Sequence, residues 1–321
     1  MDEYPFLREL RSPLTPDQLQ PLDPRCRSLQ FREPLSGAEL RRVAAFLDGY
    51  PAVTLRIYGH QTYTTLDFLE HLGAARRLQI EIFLLQDLSG LRFLRSDLEA
   101  LGLGATKMRF SLRPLERFTA LRDLWLEGYA KDFEVVGQLV ALRRLSLRSI
   151  TLPDLSTLRT LRELEQLELK LGGTRNLQHL PDIGRLRYFE AWLVRGLTDL
   201  GPVAGLSSLR FLFLQALKQV TSLPSLAPLA ELRRVHLETL KGLHDLAPIA
   251  AAPSLEELLA IDMRHLEPDA FRVFVGHPTL RGATIGLGSD RKNAAVRKLL
   301  PLPNGGSQMV GEVFAPPAPA T

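Results

Sequence analysis

The chain has 321 residues, of which 45% are apolar and 24% charged, and this ordinary composition excludes global disorder. It contains no run of about 18 uncharged apolar residues, so no membrane span is expected. The start of the chain lacks a signal-peptide core, which predicts a cytoplasmic location. Cys26 is the only cysteine, so neither an intramolecular disulfide nor a thiolate metal site is expected.

A helix is predicted near the start of the chain. It follows a weak first copy of an apolar pattern, formed by Cys26, Leu29 and Phe31. Ser36 and Glu39 have the spacing of a capping box, which predicts a helix of about 12 residues before Gly49. We expect this helix to cover the first repeat, since terminal repeats are commonly atypical.

From residue 52 onward the chain repeats a short apolar pattern. Each copy has one apolar residue, a second three positions later and a third two positions after that. The copies begin at Ala52, Ala75, Leu98, Leu121, Leu142, Leu164, Leu186, Leu209, Leu232 and Leu255, and a degraded copy begins at Leu280. The copies from 52 to 255 begin 21 to 23 residues apart, a period typical of stacked repeats.

Two spacings alternate within each copy. Leu212 and Leu214, for example, alternate as in a short strand with one buried face. Apolar residues then recur at every third position, which suits 3₁₀ or polyproline-like turns. The apolar residues of the strand and those of the turns can point into one core if each repeat forms a single coil that stacks on the next.

One copy has two interpretations. We assign a strand to the copy at Leu98, although Gly102 and Gly104 are poor strand residues. The segment Lys107–Leu112 alternates better and is the alternative strand.

The L-x-x-L-x-L pattern resembles the leucine-rich repeat family, and the period of 22–23 residues is similar to its short bacterial, internalin-like class. The resemblance implies an α/β solenoid: a curved, right-handed coil with a parallel sheet of about twelve short strands on the concave face. Turns and short 3₁₀ or α helices are expected on the convex face, with helical caps at both ends. The family usually has an Asn three residues after the last strand Leu. Here those positions hold Tyr129, Ile150, Gly172, Val194, Leu217, Leu240 and Met263, so apolar contacts must hold the coils together.

Four segments are expected along the chain. Residues 1–51 form an N-terminal segment with the capping helix, and residues 52–286 form the solenoid. Residues 287–314 form a C-terminal cap that contains a helix. Residues 315–321 are Pro, Ala and Thr without charge, which predicts a disordered tail.

The residues beside the strand leucines are expected to line the concave face. Both tryptophans of the chain fall on this face, and aromatic residues cluster on two neighbouring strands. The predicted partner-binding residues are Trp125, Tyr188, Glu190, Trp192, Phe211, Phe213, Arg234 and His236. Since solvent-facing strand positions are normally polar, the aromatic residues predict a protein-binding hot spot.

Three other interpretations of these residues are open. The aromatic side chains pack on one another as cross-strand pairs, or the register is shifted by one around Phe189. Alternatively, Trp125 and the small residues Ala100, Gly102 and Gly104 form the floor of a shallow pocket.

Charge and motifs favour a protein partner over other functions. The predicted concave face carries seven basic and seven acidic residues, whereas nucleic-acid binding needs an excess of positive charge. The sequence lacks the histidine pairs of metal sites, a phosphate-binding loop and a nucleophile elbow. We therefore predict a monomeric, non-catalytic protein-binding module with no metal or cofactor and no nucleic-acid or membrane partner.

The partner's identity is open, and adaptor, immunity (toxin-neutralising) and effector roles all fit this prediction. One alternative function is a hydrolase or transferase with a cleft near His236. Another is a structural or sensor module that recognises a glycan or a peptide through its aromatic residues.

Overall fold

The computed structural model describes residues 5–59 and 63–305 and divides into two compact units, Met1–Arg148 and Ser149–Thr321. The predicted tail, 315–321, and the end of the predicted C-terminal cap lie outside the described residues. The predicted boundaries at residues 52, 287 and 315 stay a prediction.

The first unit is built on a parallel sheet whose strands follow the order of the chain. Its strands are β1 (Leu7–Glu9), β2 (Ser28–Phe31), β3 (Thr54–Gly59), β4 (Arg77–Ile82), β5 (Ala100–Leu103), β6 (Asp123–Glu127) and β7 (Arg144–Arg148). β1 pairs in parallel with β2, so this sheet begins one strand earlier than the sequence predicted.

The second unit also has a parallel sheet in chain order. Its strands are β8 (Gln166–Lys170), β9 (Tyr188–Trp192), β10 (Phe211–Gln215), β11 (Arg234–Glu238), β12 (Glu257–Ile261) and β13 (Gly282–Ile285). Each of these strands corresponds to a predicted apolar copy.

Short 3₁₀ and α helices connect many of the strands. In the first unit they are Pro16–Leu19, α1 (Gly37–Leu47), Asp67–His71, Ser89–Phe93, Arg113–Leu115 and Phe133–Gln138. In the second unit they are Ser156–Thr160, Leu180–Asp182, Gly201–Gly205, α2 (Ala247–Ala250), Pro268–Phe274 and α3 (Asp290–Leu299). A 3₁₀ helix has three residues per turn, so the threefold apolar spacing gives the 3₁₀ helices from Asp67–His71 onward one buried edge, whereas Pro16–Leu19 has no buried residue. Among the described residues, no helix has the length and apolarity needed to cross a bilayer.

The capping box predicted for α1 is present. The Ser36 hydroxyl accepts a hydrogen bond from the Glu39 amide at 3.3 Å, and the Glu39 carboxylate accepts one from the Ser36 amide at 2.7 Å. Hydrogen bonds from the Ser36 hydroxyl and backbone amides lower the pKa of Glu39 to about 2. The helix packs against the 3₁₀ helix Asp67–His71 of the next repeat.

The repeat leucines form the core of each unit. Leu209, Leu212 and Leu214 are fully buried, as are their counterparts Leu121 and Leu126 in the first unit. Each unit is therefore a stack of coils with strands on one side and short helices on the other. The predicted α/β solenoid with a leucine-rich repeat fold is confirmed.

The structure also decides between the two interpretations of the copy at Leu98. The strand is Ala100–Leu103, and residues 107–110 lie outside any strand. A Cβ atom on Gly102 would lie 3.0 Å from Gln79 Cγ and 3.2 Å from Trp125 Cε3. Glycine occurs in this strand because the side chains of the two neighbouring strands close over it.

Apolar contacts replace the family's Asn residues. Tyr129, Ile150, Val194, Leu217, Leu240 and Met263 are all at most 4% exposed. The Leu240 amide donates a hydrogen bond to the Met263 sulfur at 3.4 Å. A buried donor thus finds a partner in the next coil although the Asn side chain is missing.

We expect Gly172→Ala to lower the free energy of unfolding by about 2–3 kcal/mol, because an added Cβ would overpack the site. It would lie 2.0 Å from the Ile150 carbonyl oxygen, so backbone must move to admit it. Urea denaturation measures the loss. The matched control is Gly173→Ala, whose Cβ would meet the movable Thr151 side chain at 3.1 Å and should cost clearly less. Equal losses for the two variants would contradict this account of Gly172.

Candidate functional site

Seven of the eight predicted binding residues lie on one side of the second unit's sheet. We call the side of each sheet that points away from the leucine core its open face. Strand pairing places Tyr188, Phe211 and Arg234 next to one another, and Phe213 beside His236. The alternative register around Phe189 is wrong, because Phe189 is fully buried in the core.

The expectation that all these side chains lie in water is wrong for four of them. Exposed fractions are 2% for Tyr188, 4% for Glu190, 5% for Phe211 and 4% for Arg234. The remaining three in this unit, Trp192, Phe213 and His236, are half-buried. Whether any of the seven binds a partner stays a prediction.

Cross-strand pairs help to bury the first row of side chains on this open face. The rings of Tyr188 and Phe211 meet edge to face, with centroids 5.0 Å apart. The Arg234 guanidinium lies 5.3 Å from the Phe211 centroid, and its Nε donates to the Glu257 carboxylate at 2.7 Å. These contacts support the interpretation in which the aromatic residues pack on their neighbours.

A charged network lies beside these rings. Lys170 Nζ is 2.7 Å from the Glu168 carboxylate and 3.1 Å from that of Glu190. The Tyr188 hydroxyl donates to Glu190 at 2.7 Å. Burial raises the pKa of Glu190, although the Lys170 ammonium opposes this shift. For Lys170, burial lowers the pKa, but the carboxylates of Glu168 and Glu190 outweigh burial and raise it. Lys170 is therefore charged at neutral pH and holds both carboxylates in place.

Five half-buried apolar or aromatic residues of this face lie on four neighbouring strands, with Gln215 and Glu238 between Trp192 and Ile261 in the last row. The rings of Phe213 and His236 stack with centroids 4.2 Å apart and planes 11° apart. Leu259 pairs with His236 on the next strand, and Ile261 lies two residues further along. We call Trp192, Phe213, His236, Leu259 and Ile261 the apolar patch. Leu259 and Ile261 were not predicted as binding residues. Their apolar side chains at outward positions of β12 are the feature of the sequence that could have identified them.

His236 is neutral at physiological pH. Burial, followed by the positive charge of Arg234, lowers its pKa to about 4. Its buried Nε2 has no hydrogen-bond partner, and the Glu238 carboxylate is 3.6 Å away, beyond hydrogen-bond range. His236 therefore acts in this face as a flat, uncharged ring.

The depressed pKa of His236 predicts a pH-dependent stability. In the unfolded chain a histidine has a pKa of about 6.5, so between that value and about 4 the unfolded state binds the extra proton. Stability is therefore lost as the pH falls through this window, by on the order of 2–3 kcal/mol. His236→Phe keeps the stacked ring but cannot titrate, and should lose less stability between pH 7 and pH 4 in urea denaturation. Parallel pH profiles for wild type and variant would contradict this assignment.

Trp125, the eighth predicted residue, belongs to the first unit. It is half-buried on that unit's open face, where Gly102 and Ser146 are its strand neighbours. A hollow of about 370 Å³ lies on this unit, lined in part by Tyr58, Phe83 and Gly104 rather than by Trp125. This hollow includes Gly104 of the predicted pocket but not Trp125, so a pocket floored by Trp125 and a binding role for Trp125 both stay predictions.

The charged side chains on the open face of the first unit neutralise one another. Asp123 lies 2.5 Å from both Arg77 and Arg144, and these cations lower its pKa against the opposing effect of burial. Arg56 contacts both carboxylate oxygens of Glu81, at 2.8 and 2.7 Å. Within residues 5–59 and 63–305, no group of three or more His, Cys, Asp or Glu side chains is arranged to hold a metal ion.

Comparison with known proteins identifies the fold. An internalin (inlF) from Listeria monocytogenes superposes with a TM-score of 0.54 and 18% identity over 85% of this chain and 79% of that chain. A leucine-rich repeat protein from Leptospira interrogans gives a TM-score of 0.41 with 16% identity over 87% of this chain and 89% of that one. No protein-family model and no curated protein sequence matches the chain. At these identities the likeness to the first internalin shows the fold and nothing finer.

Proposed function

We propose that this leucine-rich repeat chain is a non-catalytic protein-binding module that holds its partner on the apolar patch of its second unit. The observation that carries the proposal is the patch itself. Trp192, Phe213, His236, Leu259 and Ile261 are half-buried on neighbouring strands, at positions where a sheet that faces only water has polar residues.

The surroundings of the patch suit a binding surface. Aromatic residues supply most of the binding energy at many interface centres, and they bind best when their conformation is already fixed. Phe213 is fixed by its stack on His236, and the adjacent Tyr188–Phe211 pair and Lys170–Glu190 contact stiffen the same strands. We assign a supporting role to Tyr188, Glu190, Phe211 and Arg234, because these four are buried.

The properties of His236 support binding over the alternative of an enzyme with a cleft at this residue. A general base works best with a pKa near the operating pH, whereas the pKa of His236 is about 4. The stack on Phe213 also covers one face of its ring. The described residues offer no second titratable group within hydrogen-bond distance of its Nε2.

Paired charges support a protein partner over a nucleic acid. The ion pairs of Arg234 with Glu257 and of Lys170 with Glu168 and Glu190 leave little excess of positive charge around the patch. Nucleic-acid binding depends on such an excess. Three finer points stay predictions: the role (adaptor, immunity or effector), the monomeric state and the cytoplasmic location. The identity of a captured partner will discriminate among the three roles.

Affinity capture from the native source with the full chain tests the proposal. The Trp192→Ala/Phe213→Ala double variant removes the two largest half-buried rings of the patch. Because interface hot spots each contribute about 2 kcal/mol or more, we expect partner binding to weaken at least about 100-fold.

The matched control is Met108→Ala/Val140→Ala, which removes two apolar side chains that are each 55% exposed in the first unit. It should bind the partner as wild type does. Circular dichroism establishes that each variant is folded. Equal retention of the partner by wild type and the patch variant would refute the proposal.

A further inference from the structure

Basic residues occupy the same position in four successive turns of the second unit. Each lies three residues beyond the last residue of β9, β10, β11 or β12, and they recur at intervals of 23 residues: Arg195, Lys218, Lys241 and Arg264. All four are exposed. We call these four residues the cationic row.

The backbone places the four turns side by side. Their first residues have left-handed backbone with φ between 52° and 55°: Leu193, Ala216, Thr239 and Asp262. The turns therefore begin with the same backbone conformation. The Ala216 amide donates to the Glu238 carbonyl at 2.9 Å, which continues the sheet ladder into the turns. Because neighbouring strands are about 4.8 Å apart, the cationic row is roughly 14 Å long.

The turns after β9 and β10 form a hollow of about 310 Å³ at one end of the row. Leu193 and Val194 contribute apolar groups to its lining, and Arg195 and Lys218 contribute two cations. Leu193 directly follows Trp192, so the hollow adjoins the apolar patch. Its apolar wall suits methylene groups and its cations suit a carboxylate, which is the combination that a glutamate side chain carries.

A further cation lies beside this hollow. A Cβ atom on Gly196, a lining residue, would lie 2.8 Å from Arg175 Cζ, so the guanidinium rests against this turn. Among the described residues, Arg175 forms no ion pair. Three cations, those of Arg175, Arg195 and Lys218, are therefore gathered around one hollow.

Most of the cationic row lacks a carboxylate partner. Within residues 5–59 and 63–305, Arg195, Lys218 and Lys241 form no ion pair, whereas Arg264 Nε lies 2.5 Å from Asp262 Oδ1. Like charges on adjacent strands repel one another and lower stability. An anionic partner removes this repulsion, so the row suits acidic groups.

The extent of the row favours an acidic protein segment over a nucleic acid. Nucleic acids gain their affinity from many phosphate contacts, whereas the row has three cations without a carboxylate partner. On the adjoining open face, Lys170 and Arg234 are already paired with carboxylates. The unpaired charge is thus limited to a short edge of the apolar patch.

We propose that the partner held on the apolar patch also presents an acidic segment to the cationic row, with a glutamate carboxylate in the hollow between Arg195 and Lys218. The patch supplies most of the affinity, whereas the row speeds association and fixes the partner's orientation. The inference rests on the proposed function for the partner, but recognition of an acidic peptide by the row does not.

A synthetic peptide tests the row without the native partner. The probe is an end-blocked hexaglutamate peptide with a neutral dye, and fluorescence anisotropy measures its binding to the full chain at low salt. We expect binding that weakens as salt is added, because the cations are exposed. Arg195→Gln/Lys218→Gln/Lys241→Gln should weaken it about 10-fold, the combined effect that three exposed ion pairs typically have.

The matched control is Lys107→Gln/Arg109→Gln/Lys131→Gln, which removes three exposed positive charges from the first unit and should bind the peptide as wild type does. Circular dichroism establishes that both triple variants are folded. Absence of peptide binding would overturn the proposal, as would equal weakening in the two variants or equal binding of a hexaglutamine peptide. Tighter binding of a thymidine hexanucleotide than of hexaglutamate would overturn it in favour of a nucleic acid.

The captured partner then connects the row to the proposed function. We expect Arg195→Gln/Lys218→Gln/Lys241→Gln to bind the partner more weakly than wild type and with a shallower dependence on salt. Partner binding that is lost in Trp192→Ala/Phe213→Ala but unchanged in the row variant would refute only this inference. Full partner binding in Trp192→Ala/Phe213→Ala would refute the proposed function, even where the row binds hexaglutamate as expected.

Discussion

Lys170→Met is expected to lower the free energy of unfolding by about 3–5 kcal/mol at pH 7, because it leaves a buried charge without its partner. The side chains of Glu168 and Glu190 are 14% and 6% exposed, and Lys170 is the cation between them. Methionine is similar in length to lysine and keeps the apolar contacts of the chain. The loss therefore reports the two unpaired carboxylates rather than a cavity.

The loss should shrink as the pH falls. Burial already raises the pKa of Glu190 in the folded protein, and without the nearby ammonium that pKa rises further. The folded state then binds more protons than the unfolded state, so acidification stabilises the variant relative to wild type. Urea denaturation at pH 7 and pH 5 measures this change. The Glu168→Gln/Lys170→Met/Glu190→Gln variant, which has no buried charge, should be more stable at pH 7 than Lys170→Met alone. The electrostatic role of the network would be contradicted if the stability loss of Lys170→Met were the same at pH 7 and pH 5 and the triple variant were no more stable than Lys170→Met.

Leu212→Ala is expected to lower the free energy of unfolding by about 2–5 kcal/mol. Leu212 is fully buried at the centre of β10, where its neighbours on β9 and β11 are Phe189 and Val235. Truncation removes buried apolar surface and leaves a cavity that surrounding coils fill only in part. Because a stack of repeats is stabilised mainly by contacts between neighbours, the loss should spread to the adjacent coils.

The volume-conserving variant Leu212→Met serves as the control and should cost less than about 1.5 kcal/mol. Chemical denaturation followed by circular dichroism measures both variants. A loss within error of zero for Leu212→Ala would mean that Leu212 is not in the core.

The repeat period made most of the fold predictable. A strand with alternating apolar residues has only one register that buries them, so Leu212 and Leu214 determine which face of β10 points inward. The same reasoning assigned Phe211 and Phe213 to the open face. β1 was missed because Leu7–Glu9 is a half-buried edge strand without a pair of buried leucines.

Burial on the open face was less predictable than the register. The pattern shows which way a side chain points, but not how far its neighbours cover it. Phe211 is buried because the Arg234 guanidinium and the Tyr188 ring close over it from the neighbouring strands. Whether long side chains lie flat on an adjacent ring depends on contacts between repeats, which one repeat's sequence does not contain.

The turn after each strand was also unpredictable. Leu171, Leu193, Ala216, Thr239 and Asp262 follow β8 to β12 directly, and all have left-handed backbone with φ between 52° and 58°. Glycine is the usual residue for this conformation and none of the five is glycine. Their amides, such as that of Leu193, which donates to the Gln215 carbonyl at 2.8 Å, continue the hydrogen bonds of the sheet beyond the strands. Those bonds offset a strain that no residue type in the sequence signals.

Oxidative footprinting of the full chain with and without its captured partner tests the binding surface most directly. Hydroxyl radicals oxidise accessible aromatic and sulfur-containing side chains, and mass spectrometry locates the oxidised positions. The apolar patch predicts that the partner protects Trp192 and Phe213 and leaves Met108 in the first unit as reactive as before. Unchanged oxidation of Trp192 and Phe213 in a saturated complex would contradict it.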